Sequence, residues 1–250
     1  MAGNTGTPGQ SVVARVLTIF AAFDPTHRAL TLTQIADRAE LPLPTAHRFV
    51  RELLVWGALV RRPDSTFVVG RRLWDLGLLA PIQTGIREVA APFMQDLYTA
   101  TLATVHLAVR DGTQVLYLDR LSGRASVPVV SRVGGRLPLY STGVGKVLLA
   151  HAPEEVRHTV LSDLRPLTPY TVIAPGVLDR QLRQIRQQGY ATTAQEMAIG
   201  ACSVAVPICN GQEVIAALGI VVPTLAKRAS LVAAAQVAAT SIGRTVARDV

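Results

Sequence analysis

With 250 residues, 49% of them hydrophobic and 17% charged, the chain is too apolar for extended disorder and long enough for a small module beside a larger one. The net charge of +8 is carried almost wholly by arginine. Residues 1–75 hold nine Arg against six Asp and Glu, a surplus of three, so the other five positive charges lie beyond them and the excess marks no single end of the chain.

Met1–Gln10 reads as disordered, small and polar, without the apolar core of a leader. The first helix is predicted where Val12, Val16, Leu17 and Phe20 recur at helical spacing, ending before Asp24-Pro25. Thr31-Leu-Thr-Gln34 has the form of a capping box and opens a short helix from Leu32 to Ala39. Glu40-Leu-Pro-Leu-Pro44 breaks the pattern, and Pro44 suits the first turn of a third helix that runs to Trp56. On that helix Ala46, Phe49, Val50 and Leu53 share one side; Pro44, Arg48, Arg51 and Val55 lie opposite, with Thr45 and His47 on the flanks. Two short helices joined by a tight turn make a helix-turn-helix, and an outward face of guanidinium, hydroxyl and imidazole groups suits reading a DNA major groove. A merely solvated amphipathic helix would carry the same residues, but the segment after Trp56 favours groove reading. Leu59–Arg62 and Thr66–Gly70, around Pro63-Asp64-Ser65, form a predicted β-hairpin. That is a wing, with Arg61, Arg62, Arg71 and Arg72 placed to neutralise phosphates.

Leu30-Thr-Leu-Thr-Gln-Ile-Ala-Asp37, Leu41-Pro-Leu-Pro-Thr-Ala-His-Arg48 and Phe67-Val-Val-Gly-Arg-Arg-Leu73 together resemble the N-terminal domain of the IclR family of transcriptional regulators. The resemblance implies double-stranded operator DNA as partner, contacted by Pro44, Thr45, His47, Arg48, Arg51, Arg61 and Arg62.

From Arg72 to Ala80 a helix continues until Pro81, and Ile82–Thr101 resumes a helical pattern with Pro92 inside, predicting a linker helix kinked or interrupted at the prolines. Trp74, Leu76, Leu78 and Leu79 are too apolar to cross solvent alone and call for a partner chain or the neighbouring domain. In the family this linker supports dimerisation, so a homodimer or a dimer of dimers is expected.

Beyond it, strands are predicted at Ala103–Val109 and Gln114–Arg120 around Asp111-Gly112, then near Ser126–Ser131, Tyr190–Gln195, Cys202–Cys209 and Val214–Val222. Helices alternate with them near Val144–His151, Pro153–Leu161, Val177–Gln188 and Arg228–Arg248, giving a mixed α+β domain. Ser141 or Thr142 is placed to cap a helix that begins near Gly143, and such a helix start attracts a carboxylate through its unpaired amides without a dedicated arginine. A phosphate-binding loop around Gly143-Val-Gly-Lys146 fails, because Tyr140 stands where its first glycine belongs and Val147 follows the lysine.

This stretch, with Gln195–Pro207 and Val214–Pro223, resembles the IclR effector domain, so the likeness spans about residues 11–250. It implies a GAF-like fold with a small carboxylic acid effector bound among Ser126, Val129, Gly143, Val144, Thr193, Ser203, Gly219 and Val221. Members that bind small keto acids present serines and an acidic residue where Thr193, Gly219 and Val221 stand here. That departure predicts a roomier, less polar pocket suited to an aromatic carboxylate such as a hydroxybenzoate.

The expected fold is therefore α+β, an N-terminal winged helix-turn-helix, a linker helix and a C-terminal GAF-like α/β effector-binding domain. The divisions are 1–10, 11–72, 73–101 and 102–250. His27, His47, His106, His151 and His158 fall in no catalytic or metal-binding motif, and Cys202 and Cys209 alone make neither a disulfide framework nor a four-ligand metal site. No apolar run reaches the ~20 residues of a membrane span. The chain is thus expected to be a cytoplasmic regulator, a repressor, with no cofactor, metal, membrane or enzymatic activity. A small-acid-converting enzyme with a DNA-binding domain and a ligand-independent DNA-packaging protein stand as the alternatives.

Overall fold

The computed structural model describes residues 11–248 apart from 25, 78, 80–83, 124–126 and 128, so the expectations for Met1–Gln10, Leu78 and Ser126 lie outside the described residues. The chain divides into two compact units, residues 1–81 and 82–250.

The first unit runs α1 (Val12–Ala21), α2 (Leu32–Arg38), α3 (Leu43–Trp56), β1 (Leu59–Arg61), β2 (Phe67–Val69) and α4 (Arg71–Gly77). The capping box at α2 is present in both directions: Gln34 N–H donates to Thr31 Oγ1 and Thr31 N–H donates to Gln34 Oε1. After α2 the chain turns through Glu40 at φ +53°, and Leu41 N–H donates back to Ala36 O at 2.9 Å, the closure that ends a helix sharply and sets the angle of the next one. Ile19, Ile35, Phe49, Val50, Leu53 and Phe67 make the core. On α1 the buried side differs from the predicted stripe. Val16, Ile19 and Phe20 face that core, whereas Val12 and Leu17 point away, more than half exposed, because Ile19 and its neighbours one turn apart define the packed side. Leu59 pairs with Val69 and Arg61 with Phe67, and Leu30 joins the hairpin through two backbone bonds to Phe67.

The second unit contains α5 (Thr84–Thr101), β3 (Thr104–Asp111), β4 (Gln114–Leu121), β5 (Arg136–Pro138), α6 (Gly143–Ala150), α7 (Glu154–Ser162), α8 (Pro175–Gln188), β6 (Ala191–Ala194), β7 (Cys202–Asn210), β8 (Glu213–Val222) and α9 (Arg228–Val246). α5 continues through Pro92 as one helix. The six strands form one antiparallel sheet in the order β5-β4-β3-β8-β7-β6.

The period of two sorts each strand between two cores. Val105, Leu107, Val204, Val206, Leu218 and Ile220 face α5 and α9, where Met94, Leu97, Leu231, Ala235 and Ile242 wait. Ala108, Tyr117, Ala205 and Ala217 face α6 and α8, against Val144, Val147, Leu148, Leu178 and Leu182. A sheet covered on both faces shows nearly continuous apolar runs, as Cys202–Ile208 and Val214–Val222 do.

The strand expected at Ser126–Ser131 is not found: the described residues Val127 and Val129–Ser131 belong to no strand. The edge of β4 is taken instead by the chain after the Gly134-Gly135 turn. Gly134 N–H donates to Tyr117 O and Tyr117 N–H donates to Gly135 O, which sets Leu116 opposite Arg136 in β5.

Candidate nucleic-acid interface and ligand cavity

In the first unit α3 turns its apolar side inward and leaves Pro44, His47, Arg48 and Arg51 exposed, with Thr45 half-buried at the edge. The Arg48 guanidinium lies 5.2 Å from the centre of the Phe49 ring and that of Arg15 5.7 Å from it, so an otherwise buried aromatic is roofed by cations. On the wing Arg61 and Arg62 are exposed, Arg61 donates to Ser65 Oγ, and Asp64 accepts from the Thr66 amide and hydroxyl to hold the turn. Those two bonds hold the Asp64 carboxyl below its ordinary range, so the turn stays tied while the carboxylate is charged. A helix face and a hairpin, both cationic and both stiffly held, is the arrangement that groove reading and phosphate neutralisation require.

The second unit holds a cavity of about 50 Å³ between the sheet and the amino end of α6. Val129, Gly143, Val144, Thr193, Ser203, Gly219 and Val221, all singled out from sequence, line it together. The Thr142 hydroxyl accepts from Gly145 N–H at 3.1 Å, which settles the cap in favour of Thr142, while Ser141 turns its hydroxyl to Met197 Sδ. Capping at Gly145 leaves the Gly143 and Val144 amides, at the very start of the helix, as the donors nearest the cavity. Among the described residues no arginine lines it. The Thr193 and Ser203 hydroxyls, 2.6 Å apart, share one hydrogen bond in which either can be the donor, which leaves the other's O–H for a ligand.

The room predicted at Gly219 is not there. A Cβ on Gly219 would lie 2.6 Å from Val144 Cγ1, and one on Gly143 would overlap Ser203 Oγ. Both glycines serve the close approach of α6 to the sheet, and the space that they vacate is already filled by Val144 and Ser203.

Several lining residues escape a sequence reading: His106 and Tyr117 from the sheet, Ser131 and Leu137 from the chain after β4, and Met197, Ala198 and Ala201 from the turn after β6. His106 Nε2 and Ser131 Oγ are 2.7 Å apart, and the Tyr117 ring meets the imidazole edge-on with centroids 5.0 Å apart. Burial, with a lesser push from Arg120, depresses the His106 pKa to about 3, and burial raises the Tyr117 phenol to about 12; both groups are uncharged at neutral pH. A lone polar residue within the apolar run Val105-His-Leu-Ala-Val109 was the available signal.

Farther along α6, Lys146 is 1% exposed, its Nζ 2.7 Å from both oxygens of Glu196 and 2.8 Å from Gln181 Oε1. The lysine of the rejected phosphate loop thus holds a buried carboxylate of the turn that carries Met197 and Ala198. Thr171 and Thr168 donate to Glu196 O and Gln195 O, fastening the same turn from outside.

A winged helix-turn-helix in one unit and a cavity at a helix amino end in the other define a DNA-binding regulator with a ligand-binding domain. Comparison with known proteins agrees. The family pattern described as "IclR helix-turn-helix domain" matches residues 12–63, and the one described as "Bacterial transcriptional regulator IclR C-terminal" matches residues 81–244. The chain is 31% identical over 212 residues to the HTH-type transcriptional regulator XynR of Escherichia coli, covering 83% of this chain and 84% of that one. It is 30% identical over 221 residues to the Pca regulon regulatory protein of Pseudomonas putida, covering 86% and 76%. Among solved structures, an IclR homolog from Microbacterium hydrocarbonoxydans complexed with 4-hydroxybenzoate superposes with a TM-score of 0.92 at 37% identity, over 96% of this chain and all of that one. The chain belongs to the IclR family of bacterial transcriptional regulators, DNA-binding proteins with a C-terminal effector-binding domain. No helix among the described residues is long and apolar enough to cross a membrane.

Proposed function

We propose that this regulator is a repressor whose hold on its operator is controlled by an aromatic carboxylic acid, a hydroxybenzoate, taken up in the cavity at α6. The observation that carries the reading is the likeness to the homolog complexed with 4-hydroxybenzoate. Local chemistry supports it. The carboxylate meets the Gly143 and Val144 amides and the helix dipole, beside the hydroxyls of Thr193 and Ser203, while Val129, Gly219 and Val221 flank the ring. Ser126, included on the family likeness, completes the proposed set. A buried apolar site of roughly 150 Å³ holds a benzene ring, so a cavity of about 50 Å³ admits an aromatic acid only as its irregular walls yield. Those walls are Val129–Ser131 and Met197–Ala201; the sheet and α6 are packed on both sides. Displacing them supplies the difference between liganded and free states through which an effector shifts a population.

On the DNA side, Pro44, Thr45, His47, Arg48 and Arg51 face base edges and the groove wall, and Arg61 and Arg62 meet phosphates. Two such heads act as a homodimer, or a dimer of dimers, with Trp74, Leu76 and Leu79 as apolar surface for pairing, all of them more than 45% exposed in the single chain. The acid is sensed and not turned over. A calorimetric screen of the hydroxybenzoates, benzoate, pyruvate and glyoxylate, with hits carried into binding to DNA upstream of the protein's own gene, tests the proposal. Tight pyruvate binding with no aromatic hit overturns the effector; operator binding that no bound acid alters overturns the control. Arg48→Ala should cost about 1–3 kcal/mol of discrimination between operator and random duplex, whereas Arg61→Ala should weaken both alike and lower the salt slope by about one. Equal losses for the two variants would remove that division of labour.

A further inference from the structure

The amino end of α6 presents the Gly143 and Val144 amides to the cavity, but its sheet wall is not merely apolar. His106 and Thr104 lie two residues apart on β3, so both face the same side of the sheet. Their cross-strand neighbours on β8 are Gly219 for His106 and Val221 for Thr104, and both of those line the cavity. Thr104 is fully buried and its Oγ1 has no hydrogen-bond partner, a state that folding tolerates only at a cost. His106 is 4% exposed and reaches the cavity beside it. Among the described residues its side-chain partner in hydrogen-bond range is Ser131, which sits on an irregular segment and whose own carbonyl is held by Arg120 Nη1 at 2.6 Å.

A neutral imidazole and a hydroxyl offer single donors or acceptors of no net charge. They are poor partners for a carboxylate beside the cationic end of a helix dipole and good partners for a phenol. We propose that Thr104 and His106, backed by Ser131, form a second polar pole of the cavity that reads an uncharged hydroxyl on the effector, and so make this protein select hydroxylated over unsubstituted aromatic acids. The proposal rests on the aromatic-acid reading above and adds the residues that set its selectivity. Thr104 is the most informative of them: it is not itself among the lining residues, but its orphaned hydroxyl lies one strand away from Val221, which is, so a ligand that displaces this wall can supply the missing partner. His106, held neutral by burial, keeps its hydrogen-bonding character unchanged across ordinary pH.

The test is calorimetry of the full-length protein with benzoate and the three monohydroxybenzoates, in the wild type and in the Thr104→Val, Ser131→Ala and His106→Leu variants. The wild type should bind its preferred hydroxybenzoate at least about tenfold more tightly than benzoate, the worth of one or two hydrogen bonds. Thr104→Val should cut that ratio severalfold while leaving benzoate affinity unchanged, and the melting temperature of the unliganded protein should hold or rise, since the orphan is gone. His106→Leu should bring the ratio close to one, and His106→Gln, which keeps a neutral donor and acceptor, should restore part of it. A ratio unchanged in Thr104→Val and Ser131→Ala, which spare the packing, overturns the inference and leaves the aromatic-acid reading standing. Failure of the wild type to bind any benzoate overturns both.

Discussion

Replacing Lys146 by methionine isolates what the buried ion pair does for the effector-binding domain. Lys146 and Glu196 are each almost sealed from water, and burial pushes the lysine pKa down and the glutamate pKa up, each opposed by the charge of the other. The pair is tolerated because three bonds of 2.7–2.8 Å replace water around the ammonium. Taking away one member leaves the other charged and unpaired in the interior, which typically costs about 3–5 kcal/mol, whereas replacing both by apolar residues of similar size is often neutral or better. In a domain of this size 1 kcal/mol moves the midpoint by roughly 2–4 °C, so Lys146→Met should lower it by roughly 6–20 °C. Lys146→Met/Glu196→Met should recover most of that loss. Both tryptophans, Trp56 and Trp74, lie in the first unit, so their fluorescence follows that unit alone, and scanning calorimetry is needed to see the second transition. A drop smaller than about 2 °C in the single variant, or a double variant as unstable as the single, would refute the account of a paired, desolvated charge.

Acid should weaken the same domain through His106. Its folded pKa of about 3 lies below the ordinary 6.5, so between those values the unfolded chain takes up a proton that the folded one refuses, and stability falls by about 1.4 kcal/mol for each pH unit. Denaturant titrations at pH 7, 5.5 and 4 should show this slope, and His106→Leu should flatten it; an unaltered slope in the variant would place the titrating group elsewhere. In the first unit Asp24 accepts bonds from Thr26 and His27 that depress its carboxyl pKa, so its contribution is complete above the ordinary 3.8 and fades as pH falls toward the folded value. Asp24→Asn should remove that acid-side step from the tryptophan-monitored transition. Gly219→Ala should press a methyl into Val144, a stiff β-branched side chain on the first turn of α6. The expected cost is about 1–3 kcal/mol of stability together with a loss of effector affinity, and calorimetry showing full affinity would mean that α6 moves without consequence for the site.

What could be read from the sequence, and what could not, divides by the distance over which residues act. The capping box at Thr31, the proline-started α3 and the Arg61 wing are decided within four or five positions, and the first unit follows them closely. The strands of the second unit are visible as apolar runs, but a sheet buried on both faces hides which side each residue takes, so Thr104 and His106 stand out as polar without showing which core or cavity they face until β3 is set against β8. Likewise nothing near Lys146 announces Glu196, which follows fifty positions later, or Ser131, which meets His106 across twenty-five. Seven cavity residues came through a family likeness, which imports register from proteins of the same fold. The polar pole at Thr104 and His106 lies outside that inheritance. On the proposed reading, a site inferred from resemblance alone captures the end of the cavity assigned to the carboxylate and misses the end assigned to selectivity, because Thr104 and His106 come together with the cavity wall only once the sheet has paired β3 with β8.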